Sequence, residues 1–305
     1  NYQPGDEFPE GTTTVVYTVT DAAGNTATCS FTVTVVDNQA PTLTCPPNVT
    51  AGSIFGQCFG YAVVGLPTNL SDNCGITQDP MNSYNWGHNA SDIYPVGVTT
   101  VVWSVVDING NTGTCSMTVT INDTEAPTII CPEDPAVAEE TDDYDYFVPA
   151  SPGLCSAPVT IAPLIASDNC GVQSITNSFN NTSNATGIYP VGTTVVVWTV
   201  TDINGNTSTC QTIVVVVDNQ SPTINCQAPA PVCTADCTIN ATGQFVTVPV
   251  PTYIDNCQIV SITNSFNGTA DASGVYPIGT TFVVWTIVDA SGNPASCTIP
   301  VVVNA

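Results

Sequence analysis

Aspartates and cysteines are the residues of this 305-residue chain whose spacing points to chemistry. Aspartate recurs in three settings. Asp37, Asp123 and Asp218 precede a Pro and then a Cys; Asp72, Asp168 and Asp255 open Asp-Asn-Cys; Asp107, Asp202 and Asp289 open Asp-x-x-Gly-Asn. Calcium is a hard cation that takes six to eight oxygens, from carboxylates, amide carbonyls and the backbone. Asp37, Asn38, Asp72, Asn73, Asp107 and Asn109 form one candidate ligand set, with Asp123, Asp168, Asp202, Asp218, Asp255 and Asp289 at the matching positions further on. The same letters also hold Asx-turns, so turn chemistry stands beside calcium as a reading of them.

Composition narrows the function. The chain has 25 acidic residues, one His and no Lys or Arg, for a formal charge of −25. Without basic side chains it cannot neutralise phosphates, which excludes nucleic acid binding, and it has no Schiff-base lysine or phosphate-loop lysine. Its carboxylates must be solvated, hydrogen-bonded or neutralised by cations. Hydrophobic residues make up 43%, so the chain is not of the disordered acidic class. Fourteen cysteines imply an oxidising compartment. No apolar run reaches the ~18 residues of a membrane span, and no secretion signal opens the sequence. The expectation is a mature, exported protein, extracellular or at the cell surface, without a membrane span.

The elements that must position these residues emerge from self-comparison. FPEGTTTVVYTVTDAAGNTATC, from Phe8, returns as YPVGVTTVVWSVVDINGNTGTC from Tyr94, and again from Tyr189 and Tyr276. Val/Thr/aromatic runs stopped by Asp-x-x-Gly-Asn read as strands joined by hairpin turns. No segment shows a 3.6-residue period. The predicted fold is all-β, a linear array of immunoglobulin-like antiparallel Greek-key sandwiches. The predicted boundaries are 1–37, the C-terminal half of one repeat, then complete repeats at 38–121, 122–217 and 218–305. In this order of strands, the linker aspartate, Asp-Asn-Cys and Asp-x-x-Gly-Asn converge at one pole of each repeat. Trp103, Trp198 and Trp285, with Tyr17 in the half-repeat, share one position and read as core aromatics rather than sugar platforms.

Taken together, Asp-x-x-x-Pro-x-x-x-Cys-Pro, Asp-Asn-Cys, Tyr-Pro-Val-Gly-Thr-Thr and Asp-x-x-Gly-Asn-x-x-x-Cys resemble the hyalin repeat, an immunoglobulin-like extracellular module. The likeness covers essentially the whole chain. It implies adhesion or structure rather than catalysis. The repeat from Cys226 departs from the pattern by lacking Pro after that Cys and by carrying an extra cysteine.

The first strand lies beside the last in such a sandwich, which pairs Cys45–Cys115, Cys131–Cys210 and Cys226–Cys297. Elimination leaves Cys58–Cys74 and Cys155–Cys170, with Cys233 and Cys237 competing for Cys257. Cys29 lacks a first-strand partner, and a bond to Cys233 or Cys237 of another copy would join molecules head to tail. Asn-x-Ser/Thr occurs at Asn48, Asn69, Asn89, Asn122, Asn180, Asn181, Asn184, Asn206, Asn219, Asn240 and Asn267, all candidate glycosylation sites. Tyr84 and Trp86 lie outside the repeated register and are candidates for an exposed contact. His88, the single histidine, is a weak basis for a catalytic triad. An acidic run from Glu139 to Tyr146 reads as a solvated loop.

No catalytic constellation stands out, and the chain is read as a non-enzyme. The leading expectation is a structural subunit or segment of an extracellular filament or surface stalk, assembling with its own copies through the N-terminal half-repeat. The alternatives are a calcium-dependent adhesin stalk that binds glycans or surface proteins, and a non-catalytic module array of a secreted hydrolase. Calcium is the one cofactor these readings entertain.

Overall fold

A computed structural model describes residues 2–133, 144–233 and 243–304, with the backbone alone for Cys233. Every regular element among them is a strand. The chain divides into two compact units, residues 1–125 with 168–170, and residues 126–167 with 171–305.

The first unit opens with a hairpin of β1 (Gly11–Thr20) and β2 (Thr26–Val35). A complete repeat follows, comprising β3 (Thr42–Thr44), β4 (Val49–Gly52), β5 (Phe59–Ala62), β6 (Thr68–Ser71), β7 (Met81–Asn82), β8 (Asp92–Pro95), β9 (Gly97–Val106) and β10 (Thr112–Asn122). One sheet has the order β4-β10-β9-β7; β3–β6 and β5–β8 form the opposite layer. β4 runs parallel to β10, and the other pairings are antiparallel. The opening strand thus switches sheets between β3 and β4, as in immunoglobulin-like sandwiches.

In the second unit the same order recurs twice. Val172–Asn177, Gly192–Asp202, Thr207–Val217 and Tyr146–Pro149 form one four-stranded sheet; Ile259–Asn264, Gly279–Asp289, Pro294–Asn304 and Val232–Cys233 form the other. The turn of each long hairpin is closed by a glycine at positive φ, as at Gly110 (91°) and Gly292 (90°), where a side chain would be strained.

Trp103, Trp198 and Trp285 are fully buried between the layers, so the core reading of these residues holds. Tyr94, Tyr189 and Tyr276 are buried beside them, each hydroxyl donating to the carbonyl four residues earlier at 2.6 Å. Tyr84 also belongs to the core pattern rather than to an exposed contact. Its ring stacks on Tyr94 at 4.0 Å, as Phe179 stacks on Tyr189 and Phe266 on Tyr276. All three follow Asn-Ser, whose asparagine (Asn82, Asn177 or Asn264) is buried and caps the adjoining loop. Trp86 is exposed, and exposed His88 holds the Pro80 carbonyl through Nδ1.

Candidate metal centre and repeat junctions

Asp-Asn-Cys follows β6, Asp107 begins the β9–β10 turn, and Asp37 lies in the linker after β2. The sandwich carries all three to one pole, where a carboxylate oxygen from each of Asp37, Asp72 and Asp107 lies within 4.8 Å of the others. In the second unit Asp218, Asp255 and Asp289 converge in the same way. Asp123 and Asp168 belong to the first unit and Asp202 to the second, at the corresponding positions.

The hydrogen bonds divide each carboxylate's oxygens between two tasks. Asp37 Oδ1 accepts from the Gln39 N–H at 3.1 Å and from Asn73 Nδ2 at 3.2 Å. Asp218 Oδ1 accepts from Gln220 N–H and Asn256 Nδ2, both at 3.0 Å. Asp72 Oδ2 accepts the N–H groups of Cys74 and Gly75 at 2.8 Å, and Asp255 Oδ2 accepts that of Cys257 at 2.9 Å. These are the Asx-turns. The other oxygens, Asp37 Oδ2, Asp72 Oδ1, Asp218 Oδ2 and Asp255 Oδ1, are buried and have no hydrogen-bond partner. One oxygen holds the turn and the other takes no hydrogen bond, so turn chemistry and cation binding are compatible at the same residues.

Sequence reasoning missed the last Asn of Asp-x-x-Gly-Asn as the clamp of the Asp37 and Asp218 trios. Asn111 Nδ2 donates to Asp107 Oδ2 at 2.7 Å and to the Asp37 carbonyl at 3.3 Å; Asn293 Nδ2 reaches Asp289 Oδ2 at 2.8 Å and the Asp218 carbonyl at 3.0 Å. Burial pushes the Asp107, Asp202 and Asp289 carboxyls up, but hydrogen bonds from Asn111, Asn206 and Asn293 outweigh it and hold all three below the ordinary Asp range. Asn73 enters the cluster as a donor, while Asn38 and Asn109 are exposed, with Asn109 Nδ2 directed at Glu10.

The expected disulfides Cys45–Cys115, Cys131–Cys210 and Cys226–Cys297 are present. Cys58–Cys74 and Cys155–Cys170 are not formed; Cys58 bonds Cys170 and Cys155 bonds Cys257. Cys257 is therefore not the partner of Cys233 or Cys237, and the Cys233 side chain and Cys237 lie outside the described residues. The correction has a clear cause. The tip between β4 and β5 projects beyond its own sandwich, so its cysteine meets the Asp-Asn-Cys of the following repeat. Elimination within one repeat could not show this. Cys29 and Cys74 are free thiols. Burial, then the hydrogen bonding and charge of Asp37 and Glu10, push the Cys74 thiol up to about 11.

Ten of the candidate glycosylation asparagines are described; Asn240 is not. Asn48, Asn69, Asn89, Asn122, Asn180, Asn181, Asn184, Asn219 and Asn267 are exposed or nearly so. Asn206 is half-buried, with Nδ2 held by Asp202. The Asn180 and Asn267 amides are likewise engaged, by the Asn184 and Asp271 carbonyls. Residues 139–143 of the acidic run lie outside the described residues.

A family profile for the HYR domain matches residues 1–35, 36–121 and 217–303. The chain belongs to the HYR domain family. It is similar to hyalin of Strongylocentrotus purpuratus (35% identical over 99% of the chain and 24% of that protein) and to hyalin of Lytechinus variegatus (30% over 98% of the chain and 54% of that protein). It thus spans about a quarter and about half of these relatives. Among solved structures, Sidekick-1 immunoglobulin domains 1–4 align over 97% of this chain and 95% of that one at 7% identity and a TM-score of 0.33. Drosophila N-cadherin EC1–4 aligns over 98% and 85% at 12% identity and 0.31. Such scores carry no argument, and the fold rests on the strand pairings above. HYR chains of the hyalin type are extracellular, adhesion-related and generally non-catalytic, and this chain is extracellular or displayed at the cell surface.

Proposed function

We propose that this chain is a non-enzymatic structural segment of an extracellular filament or stalk, whose repeats are braced by calcium and by disulfides between neighbours and whose copies assemble head to tail. The observation that carries the calcium part is the pair of buried, hydrogen-bond-free oxygens in the Asp37 trio and in the Asp218 trio. Asp218, only 6% exposed, presents one of them. Carboxylates brought this close and out of water repel unless a proton or a cation intervenes. The sequence has no Lys or Arg to supply the counter-charge. Three carboxylates, nearby carbonyls and water suit a hard divalent ion with six to eight oxygen ligands.

Head-to-tail assembly draws on the half-repeat. Val16, Tyr17, Val19 and Phe31 of its hairpin are about half exposed or more, whereas Trp103, at the Tyr17 position, is fully buried. A calcium-dependent adhesin stalk is the second reading, favoured by Trp86, which is 75% exposed on a loop. Elemental analysis and calorimetric titration of chelator-stripped protein test the proposal. Calcium bound at the trios, with a raised melting temperature, is expected. No bound metal and an unchanged melting curve in excess chelator would overturn it.

A further inference from the structure

The loops that follow Asn82, Asn177 and Asn264 share one scaffold. Asn82 Nδ2 donates to Asn85 Oδ1 and to the Gly87 carbonyl, both at 2.8 Å. Asn177 holds Asn180 and the Thr182 carbonyl in the same way, and Asn264 holds Asn267 and the Thr269 carbonyl. At each tip one N–H donates back to the carbonyl of that buried asparagine, from Trp86 at 3.1 Å, Asn181 at 3.0 Å and Gly268 at 2.9 Å. All three tip residues have positive φ, 59°, 59° and 75°. Asparagine and glycine take that conformation at little cost, whereas a bulky side chain is strained in it. Trp86 is therefore held against its backbone preference, and at 75% exposure its burial does not repay the strain.

Two more residues set this loop apart. Counted from the same asparagine, His88 stands where the other loops have Ser183 and Ala270, and Asp79 where they have Ser174 and Ser261. His88 and Asp79 line a cavity of about 190 Å³ whose other walls are Leu66, Pro67, Leu70 and Pro80. His88 Nδ1 faces the Pro80 carbonyl at 3.0 Å. A carbonyl only accepts, so this contact puts the proton of the neutral ring on Nδ1 and leaves the Nε2 lone pair open. The Asp79 carboxylate is exposed. Apolar walls beside a carboxylate and an imidazole lone pair suit a side chain with an aliphatic stem and a cationic head. Tryptophan is the best aromatic partner for such a head.

We infer that Trp86, Asp79 and His88, with this cavity, form a docking site for an Arg- or Lys-bearing segment of a different protein. Charge selects the occupant. A formal charge of −25 attracts a basic partner from a distance and repels anionic glycans. Another copy of these 305 residues cannot fill the site, because they contain no Lys or Arg. The loop is already fixed by the Asn82 and Asn85 hydrogen bonds, so docking pays little to order it. The inference rests on the adhesive reading and is indifferent to head-to-tail assembly.

The test titrates the full chain, with calcium, into a fluorescein-labelled peptide of alternating Arg and Gly and follows anisotropy. Salt is held at about 0.15 M to screen diffuse attraction. The same peptide with citrulline for Arg is the uncharged control. Saturable binding of the Arg peptide alone is expected. Trp86→Gly and Asp79→Asn should each weaken it about fivefold, while Glu7→Gln, which removes an equal charge elsewhere, leaves it nearly unchanged. Trp86→Gly, which copies Gly268, is also expected to raise the melting temperature by relieving the positive φ. Equal losses in all three variants, affinity unmoved by Trp86→Gly or Asp79→Asn, equal binding of the citrulline peptide, or a melting temperature lowered by Trp86→Gly would overturn the inference. So would Trp86-dependent binding of the neutral sugar cellohexaose without any of the Arg peptide, an outcome that leaves the adhesive reading standing.

Discussion

The junctions at Asp37 and Asp218 are built from the same residue types and differ, among the described residues, in one respect: the second is covered by a hairpin of the repeat before it. With Gly153, Leu154 and Cys155 seated, Asp218 is buried, whereas Asp37 stays partly open to solvent. The turns, the orphaned oxygens and the Asn clamp are the same at both. The trio is therefore a property of one repeat, and its dryness is supplied by the repeat before it. A drier carboxylate trio interacts more strongly with a cation through the lower local dielectric.

That difference can be broken most severely at the covalent link. Cys155→Ser/Cys257→Ser is expected to lower the stability of the second unit by roughly 2–5 kcal/mol in denaturant titrations, whereas Cys74→Ser leaves the monomer unchanged. Calcium comes next. At a hundredfold excess over its dissociation constant, each site should add about 2.7 kcal/mol. Calorimetry of Asp218→Asn and Asp37→Asn is expected to show the larger loss of affinity for Asp218→Asn.

A third test compares repeats rather than junctions. Trp198 Nε1 donates to Thr212 Oγ1 at 3.0 Å, while the indole nitrogens of Trp103 and Trp285 are buried without a partner. Met117 and Ile299 occupy the Thr212 position, two residues after the strand cysteine. Thr212→Ile should cost about 1–3 kcal/mol by stranding the Trp198 N–H and freeing the Pro132 carbonyl that Thr212 also holds. Thermal melting of the variant checks it.

The smallest effect is in acid. Asp107 and Asp289 titrate below their unfolded values, so their contribution is full above the ordinary Asp range and fades as pH falls through it to the lower folded values. Asn293→Ala removes the largest opposing hydrogen bond, from Nδ2 to Asp289 Oδ2, and leaves the backbone N–H donor in place. It should raise the Asp289 pKa and move the acid-unfolding midpoint to higher pH, as read by NMR titration.

The strand content, the buried tryptophans, the three strand-to-strand disulfides and the aspartate motifs were legible because each is fixed inside one repeat by local pattern. The hairpin disulfides were not, since nothing within residues 38–121 marks Cys58 as belonging with Cys170. Elimination assumed that each repeat closes on itself. Gly-x-Cys, at Gly56 and Gly153, was the available signal, a turn glycine at φ of 71° and 74° just before the cysteine. The Asn-Ser-aromatic unit was missed for a different reason. β7 has two residues where its counterparts, Val172–Asn177 and Ile259–Asn264, have six, so Tyr84 looked out of register.

The long reach of Cys58 also sets a schedule. Its partner lies 112 residues further along, so at about 5–20 residues per second the ribosome needs roughly 6–22 s to deliver it. Throughout that interval Cys74, only 16 positions away, is already made. The cell must therefore leave Cys58, and likewise Cys155, unoxidised while the following repeat is being synthesised, or reshuffle a premature bond afterwards. Maturation of this chain is paced by the translation of its neighbouring repeat rather than by the folding of any single sandwich.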